Sequence, residues 1–349
     1  MRGAGAWRLA GPLLAAALAG GCAAPGQTRA LLSSPPAGLA RQVELTATPF
    51  FPQQRHQCGP AALATVMQAW RLPLAPDTLA DEVYVPALHG SLRAGLAAAA
   101  RRHGLLAYRL RPRMQDLLAE VAAGHPVVLF QNLATRWYPR WHFAVLVGYD
   151  LDTATAVLRS GRTRRHRTPL GTLERTWAAG GHWALVVVPA GRVPATARLR
   201  DYLQAAHALE AAGQADAAAR AYRAATRRWP RRYESWFALA NQAWAAGELA
   251  VAEPALREAL RLQPADARIW NNLAYVLARR GCPRQALRAA RCAVALAPGE
   301  GGYRDSLREL RSEPEGRPGG ACEDISCPAV TSGTKRNGVG HPVGAQPSS

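Results

Sequence analysis

Phe50-Phe51-Pro52-Gln53-Gln54-Arg55-His56-Gln57-Cys58-Gly59-Pro60-Ala61 is the stretch on which the reading of this chain turns. A proline is tolerated in a first helical turn, where a missing N–H leaves no bond unmade. Leu63, Val66, Met67 and Trp70 follow at helical spacing, so a helix is predicted from Cys58 to Trp70 with that stripe buried. Cys58 then opens the helix, where unpaired N–H groups and the dipole favour the thiolate, the reactive form of cysteine. Gly59 is expected to leave the approach to the sulfur uncrowded. Gln53 is placed to donate a side-chain N–H to a developing oxyanion, with the Cys58 N–H as second donor. Gln54 replaces it if the loop register differs by one. A lone helical cysteine is more often a small core residue; the Gln-Cys-Gly-Pro context favours a nucleophile.

A thiolate needs an imidazole partner. His142 opens the apolar run Phe143-Ala144-Val145-Leu146-Val147-Gly148-Tyr149, a buried strand that would hold the ring rigidly at its start. Helices are predicted over 91–103 and 114–123, and strands over 107–111, 126–131, 142–149, 155–159 and 183–188. Helices precede strands, which argues for an α+β domain over 41–190.

Gln53, Cys58-Gly59-Pro60-Ala61, and His142-Phe143-Ala144-Val145 with Gly148-Tyr149 resemble the papain-like cysteine peptidases of the bacteriocin-processing, double-glycine-cleaving group. The resemblance implies a thiol peptidase acting through a thioester, with Cys58 as nucleophile, His142 as base then acid, Gln53 as oxyanion donor, and no cofactor or metal. The family usually places an Asp after the His strand to orient the ring. Asp150 and Asp152 fall in the intervening turn, and Asp150 is about 26 Å along the strand from His142. A turn centred near 151–152 brings Ser160 beside His142. Its hydroxyl can accept the imidazole N–H but offers no charge, which leaves a catalytically weak scaffold as the competing reading.

Beyond this domain the sequence repeats. Pro230, Pro264 and Pro298 are 34 apart, as are Gly213, Gly247 and Gly281, and as are Ala218, Ala252 and Ala286. Ala225, Ala259 and Ala293 share the period, and 34 is the length of the tetratricopeptide helix-turn-helix. Glycines turn the chain, small alanines let helices approach, and prolines stop them. An all-α solenoid is predicted over 199–311, with repeats 199–232, 233–266 and 267–300, a capping helix over 302–310, and a linker at 191–198. By resemblance its concave face, fit for a protein partner, carries Phe237, Asn241, Trp244, Arg268, Asn271 and Tyr275. Residues 312–349, rich in Gly, Pro, Ser and Glu, read as a disordered tail.

Residues 1–21 combine Arg2 and Arg8, an apolar run and Ala19-Gly20-Gly21, the pattern of a secretory signal. Cys22 directly after them resembles a lipobox cysteine, which implies lipidation there and an outer-membrane protein facing the periplasm. Residues 22–40, with Pro25, Gly26, Pro35, Pro36 and Gly38, read as a tether. Export makes disulfides available to Cys282, Cys292, Cys322 and Cys327. Cys322 with Cys327, and Cys282 with Cys292, are two pairings, and reduced core thiols a third outcome; the sequence does not choose.

Over 349 residues the net charge is +19, with 49% hydrophobic and 19% charged residues. That excludes a mostly disordered chain and a long coiled coil. Nearly all the basic charge is Arg, Lys335 being the sole lysine, which points to genome composition rather than function. Arg162, Arg164, Arg165 and Arg167 are expected in a solvated basic loop, with steering of acidic segments as the alternative. His56, His89, His103, His125, His166, His182 and His207 have no metal-ligand spacing and read as surface or loop residues. No recognition motif supports nucleic-acid binding, and no phosphate loop is present.

Overall fold

The structure is a computed structural model that describes residues 25–53, 56–312 and 322–328. Cys22 and Gln54 lie outside them. The first unit of the chain ends at Pro230 and the second begins at Arg231.

The first unit opens with helix α1 (Gly26–Ser33) and strand β1 (Gln42–Glu44). Helices α2 (Cys58–Ala69) and α3 (Pro76–Val83) follow, then a short hairpin of β2 (Tyr84–Val85) and β3 (Gly90–Ser91), then α4 (Arg93–Arg102). The main sheet is built from β4 (Leu105–Arg109), β5 (Val127–Asn132), β6 (Trp141–Asp150), β7 (Thr155–Ser160), β8 (Thr163–Pro169) and β9 (Ala184–Pro189). Helix α5 (Met114–Ala122) lies between β4 and β5, and α6 (Leu170–Ala179) between β8 and β9. The strand order is β4-β9-β5-β6-β7-β8, antiparallel throughout, with β1 also pairing β6.

Phe143 to Val147 are all fully buried, as befits a central strand covered on both faces. Phe143, Val145 and Val147 share one core with Leu63, Val66 and Met67 of α2. This contact sets the first turn of α2 against the start of β6.

Three expectations need correction here. The stretch 22–40 is not all tether, because α1 is docked. Its first N–H groups have no intrahelical partner, and the buried carboxylate of Glu174 on α6 takes them up. It accepts from Gln27 N at 3.1 Å, Thr28 N at 2.6 Å and Thr28 Oγ1 at 2.6 Å. The Gln27 side chain adds Met114 N and Pro112 O on the other side. The expected basic loop is instead strand β8, the edge of the sheet, with residues 163–167 exposed. Charged side chains are what an edge strand tolerates. His125 lies in a loop, as expected, but not at the surface: it is buried, with Nδ1 2.7 Å from Glu120 Oε2.

The chain then enters the repeats, α7 (Leu199–Glu210) with α8 (Ala215–Arg228), α9 (Tyr233–Ala245) with α10 (Leu249–Leu262), and α11 (Ala267–Arg279) with α12 (Pro283–Leu296), closed by α13 (Gly301–Ser312). Gly213, Gly247 and Gly281 each have φ between 73° and 77°, the left-handed turn that ends a helix. The first repeat belongs with the sheet unit. Tyr108 on β4 accepts from Arg198 N at 3.1 Å, and Gln214 donates to Arg102 O at 2.9 Å.

In the second unit two disulfides, Cys282–Cys322 and Cys292–Cys327, fasten residues 322–328 along α12. Neither pairing raised from the sequence forms. Cys282 and Cys292 stand on one helix, about 15 Å apart at helical rise, and cannot meet. Five extended residues from Cys322 to Cys327 span about 17 Å, so the two lengths match. Residues 322–328 are therefore not a disordered tail. Ile325 between the cysteines is buried, and Arg288 donates to its carbonyl at 3.3 Å.

Candidate active site

The site lies where β6 outruns β7. Their pairing stops at Val145↔Arg159. Phe130 N donates to Trp183 O just ahead of β9, so the Phe130↔Phe143 pair is not itself hydrogen-bonded. Phe143 therefore turns its main-chain groups toward the space that β7 has left. Its carbonyl accepts from Gln53 Nε2 at 3.2 Å, and its N–H is directed at the Cys58 sulfur. Cys58 is thus held beside the residue that follows His142.

Gln53 is fixed from both ends. Its backbone N–H donates to Gly161 O at 2.9 Å, and Oε1 accepts from Gly161 N at 3.0 Å. The loop ahead of α2 is tied in this way to the β7–β8 turn. That turn brings Ser160 to His142, with Oγ 2.8 Å from Nε2. Asp150 accepts from the N–H groups of Asp152 and Thr153, and Asp152 pairs with Arg41. Both carboxylates serve the 150–153 turn and neither reaches the imidazole.

Cys58 and His142 are both half-buried. Burial pushes the thiol above its ordinary value, opposed by the N–H groups of Phe143, Gly59 and Cys58 itself. The helix terminus favours the thiolate, as the sequence suggested, but desolvation outweighs it. Burial also lowers His142 from 6.5 to about 4, assisted by the positive charges of Arg140 and His166. The resting pair is a neutral thiol and a neutral imidazole, not the held thiolate expected from the sequence.

Gly59 has a packing role that the sequence did not suggest. A Cβ there would lie 2.5 Å from Ser91 Oγ and 2.6 Å from Ser91 Cβ. Glycine lets the β3 strand close over the first turn of α2. The sequence carried no signal for this, since β2 and β3 are too short to show a period. The aromatic wall of the site was equally unforeseen. Trp141 stacks on Phe130 at 5.2 Å, and the Arg93 guanidinium lies over the same ring at 5.3 Å. Trp137 and Tyr138 ahead of it are 83% and 85% exposed.

On the repeats, Phe237 lies under Arg268 at 5.8 Å and Trp244 under Arg279 at 5.4 Å. Asn241 accepts from Asn272 at 2.8 Å, and Tyr275 donates to Glu309 at 2.7 Å. Asn271, expected on the open face, is half-buried, with Oδ1 enclosed and without a hydrogen-bond partner. Asn272, one position on, is also half-buried and is the donor to Asn241.

Residues 45–182 match the Peptidase_C39 like family. The chain carries a C39-like peptidase domain. Residues 234–276 match the tetratricopeptide repeat, so the helical region after the domain is a repeat solenoid. None of the curated proteins matches. Among solved structures, a putative C39-like peptidase from Bacillus anthracis is 20% identical, covers 43% of this chain and 98% of its own, and gives a TM-score of 0.36. The peptidase domain of Streptococcus ComA, a bifunctional ABC transporter, is 16% identical over 41% of this chain and 98% of its own, at 0.34. A Thermobaculum terrenum O-GlcNAc transferase mutant is 24% identical over 32% of this chain and 22% of its own, at 0.30.

Proposed function

We propose that the domain is a working thiol peptidase, cleaving a peptide or protein substrate through Cys58 and His142. The observation that carries this is the convergence of the Cys58 sulfur and the start of β6 in the space beyond β7. With Nε2 of His142 held by Ser160, Nδ1 is the nitrogen left to accept the thiol proton. The sulfur attacks the scissile carbonyl. The proton passes to His142, then to the leaving amine, and a thioester remains for water to cleave. One hydrogen of Gln53 Nε2 is used by Phe143 O. The other, with the Cys58 N–H, receives the oxyanion. Ser160 orients the ring.

The test is labelling by a thiol-directed peptidase probe together with peptide turnover. Both should vanish in Cys58→Ala, and turnover should fall by at least about a hundredfold in His142→Ala. Equal labelling of wild type and Cys58→Ala would sink the reading. The neutral resting pair favours one second reading, a peptidase-like scaffold whose function lies in the repeats. It predicts partner capture that survives Cys58→Ala but requires residues 199–311.

The reading extends to location. Cys22 would carry lipid, placing the protein at the periplasmic side of the outer membrane, and the two disulfides fit an oxidising compartment. Because α1 is docked, only residues 23–25 separate Cys22 from the folded domain, a reach of about 14 Å. The domain would be held close to the bilayer instead of standing clear of it. Fatty-acid incorporation lost in Cys22→Ala, with membrane association lost in parallel, is the expected result.

A further inference from the structure

The chain on either side of His142 carries charge of one sign. Ahead of it, residues 133–141 include Arg136 and Arg140 and no acid. Beyond its partner Ser160, residues 161–167 include Arg162, Arg164, Arg165, His166 and Arg167, again without an acid. Some of this charge is already used. Arg165 pairs with Glu44 at 2.7 Å, and buried Arg159 donates to Thr48 O and Arg164 O. Arg136, Arg140, Arg162 and Arg164 are exposed, with no ion-pair partner among the described residues.

The groups that face the imidazole can be named element by element. Ser160 on β7 is a neutral hydroxyl. Gln53 ahead of α2 and Cys58 on α2 are neutral. Arg140 before β6, a fixed cation, and the imidazole of His166 on β8 are the basic groups that act on the ring. No carboxylate does so. The segments that carry these residues, the approach to β6 and the β7–β8 turn, flank the Cys58–His142 site through the His142–Ser160 and Gln53–Gly161 contacts.

We propose that the cleft selects peptides carrying an acidic side chain next to the scissile bond, bound by Arg140 and His166 with Arg162 and Arg164 extending the cationic rim. This rests on the thiol-peptidase reading and names its substrate class. The bound carboxylate brings to the imidazole the negative charge that Ser160 does not supply. It neutralises the rim cations and favours proton transfer from Cys58. One unit on the imidazole changes the thiolate–imidazolium population about tenfold. Protection of a sheet edge accounts for charges on β8, but Arg140 is not on an edge strand. A pull on an anionic surface in general would need no placement beside the catalytic pair.

The experiment uses two pools of short random peptides that differ only in Glu against Gln at one central position. The mature full chain should cleave the Glu pool about tenfold faster at neutral pH, with Glu found beside the cut bonds by mass spectrometry. In Arg140→Gln/His166→Gln the ratio of the two rates should fall to about one. Binding is read separately with Cys58→Ala and the same pools labelled with a fluorophore. Preference for Glu that weakens with salt is expected there. If the wild type cleaves neither pool while Cys58→Ala keeps the preference, the peptidase reading falls and the rim stands. Equal cleavage of both pools would leave the peptidase reading intact and overturn this one. So would preference of Cys58→Ala for phosphatidylglycerol vesicles over the Glu pool, or an unchanged ratio in the double variant.

Discussion

His142 sets both the chemistry and a pH dependence. Its ring is held near 4 by burial, against 6.5 when exposed. Between these values the unfolded chain binds a proton that the folded chain refuses, so stability is present above 6.5 and lost as pH falls toward 4. The loss is about 3 kcal/mol for a shift of this size. Denaturant midpoints of wild type and His142→Gln should therefore converge on acidification, the wild type losing more; parallel pH profiles would contradict the assignment. Ser160→Asp tests the same ring from its other nitrogen. A carboxylate beside Nε2 should raise the imidazole and speed Cys58 alkylation at pH 7 by about tenfold, whereas Ser160→Ala should slow it. Gly59 makes a third case. Gly59→Ala should lose about 1–3 kcal/mol through collision with Ser91, and Gly59→Ala/Ser91→Gly should recover most of it in a thermal melt.

At the scale of elements, the sequence showed what is periodic or chemically marked. Helix α2, strand β6 and the repeats were legible from apolar spacing and from the 34-residue series. Ser160 was reachable because hairpin pairing is counted in residues, although the register shift between Leu146 and Gly148 lay beyond that counting. Helix α1 was illegible for a physical reason. Its eight residues are too few to hold a helix on their own, and glycine first with prolines on either side gives no periodic run to read. A buried carboxylate 146 residues away, on Glu174, organises it. The neutral state of Cys58 was hidden for a similar reason, since burial is a property of the packed domain and the helix terminus is local. Glu174→Ala should therefore release α1. The variant should lose several kcal/mol, its three hydrogen bonds from Gln27 and Thr28 being worth about 1.5–3 kcal/mol each, and trypsin should cut after Arg29 under conditions where wild type resists. Protection of Arg29 in the variant would show that α1 docks by other contacts.

At the scale of the whole molecule, stability is divided between two units that are held differently. The sheet unit buries a large apolar core, with α2, β6 and β9 at its centre and the first repeat attached. The second unit has two repeats and a terminal helix, and a short solenoid exposes a large share of its surface. Its disulfides close intervals of 40 and 35 residues. By loop entropy each is worth about 4 kcal/mol, an upper figure because the two loops overlap. Reduction should then lower the melting temperature of the second unit while leaving the sheet unit and the Cys58 site intact. Two transitions should appear in calorimetry of the reduced chain, and Cys58 should label at the same rate with and without reductant, once reductant is removed. The same pairing should be visible chemically. Peptide mapping without reduction should join the peptide of Cys282 to that of Cys322, and Cys292 to Cys327, with Cys58 left as a free thiol. Recovery of a Cys322–Cys327 linkage would mean that residues 322–328 do not lie along α12. The stabilisation predicted for the repeats would then have no source.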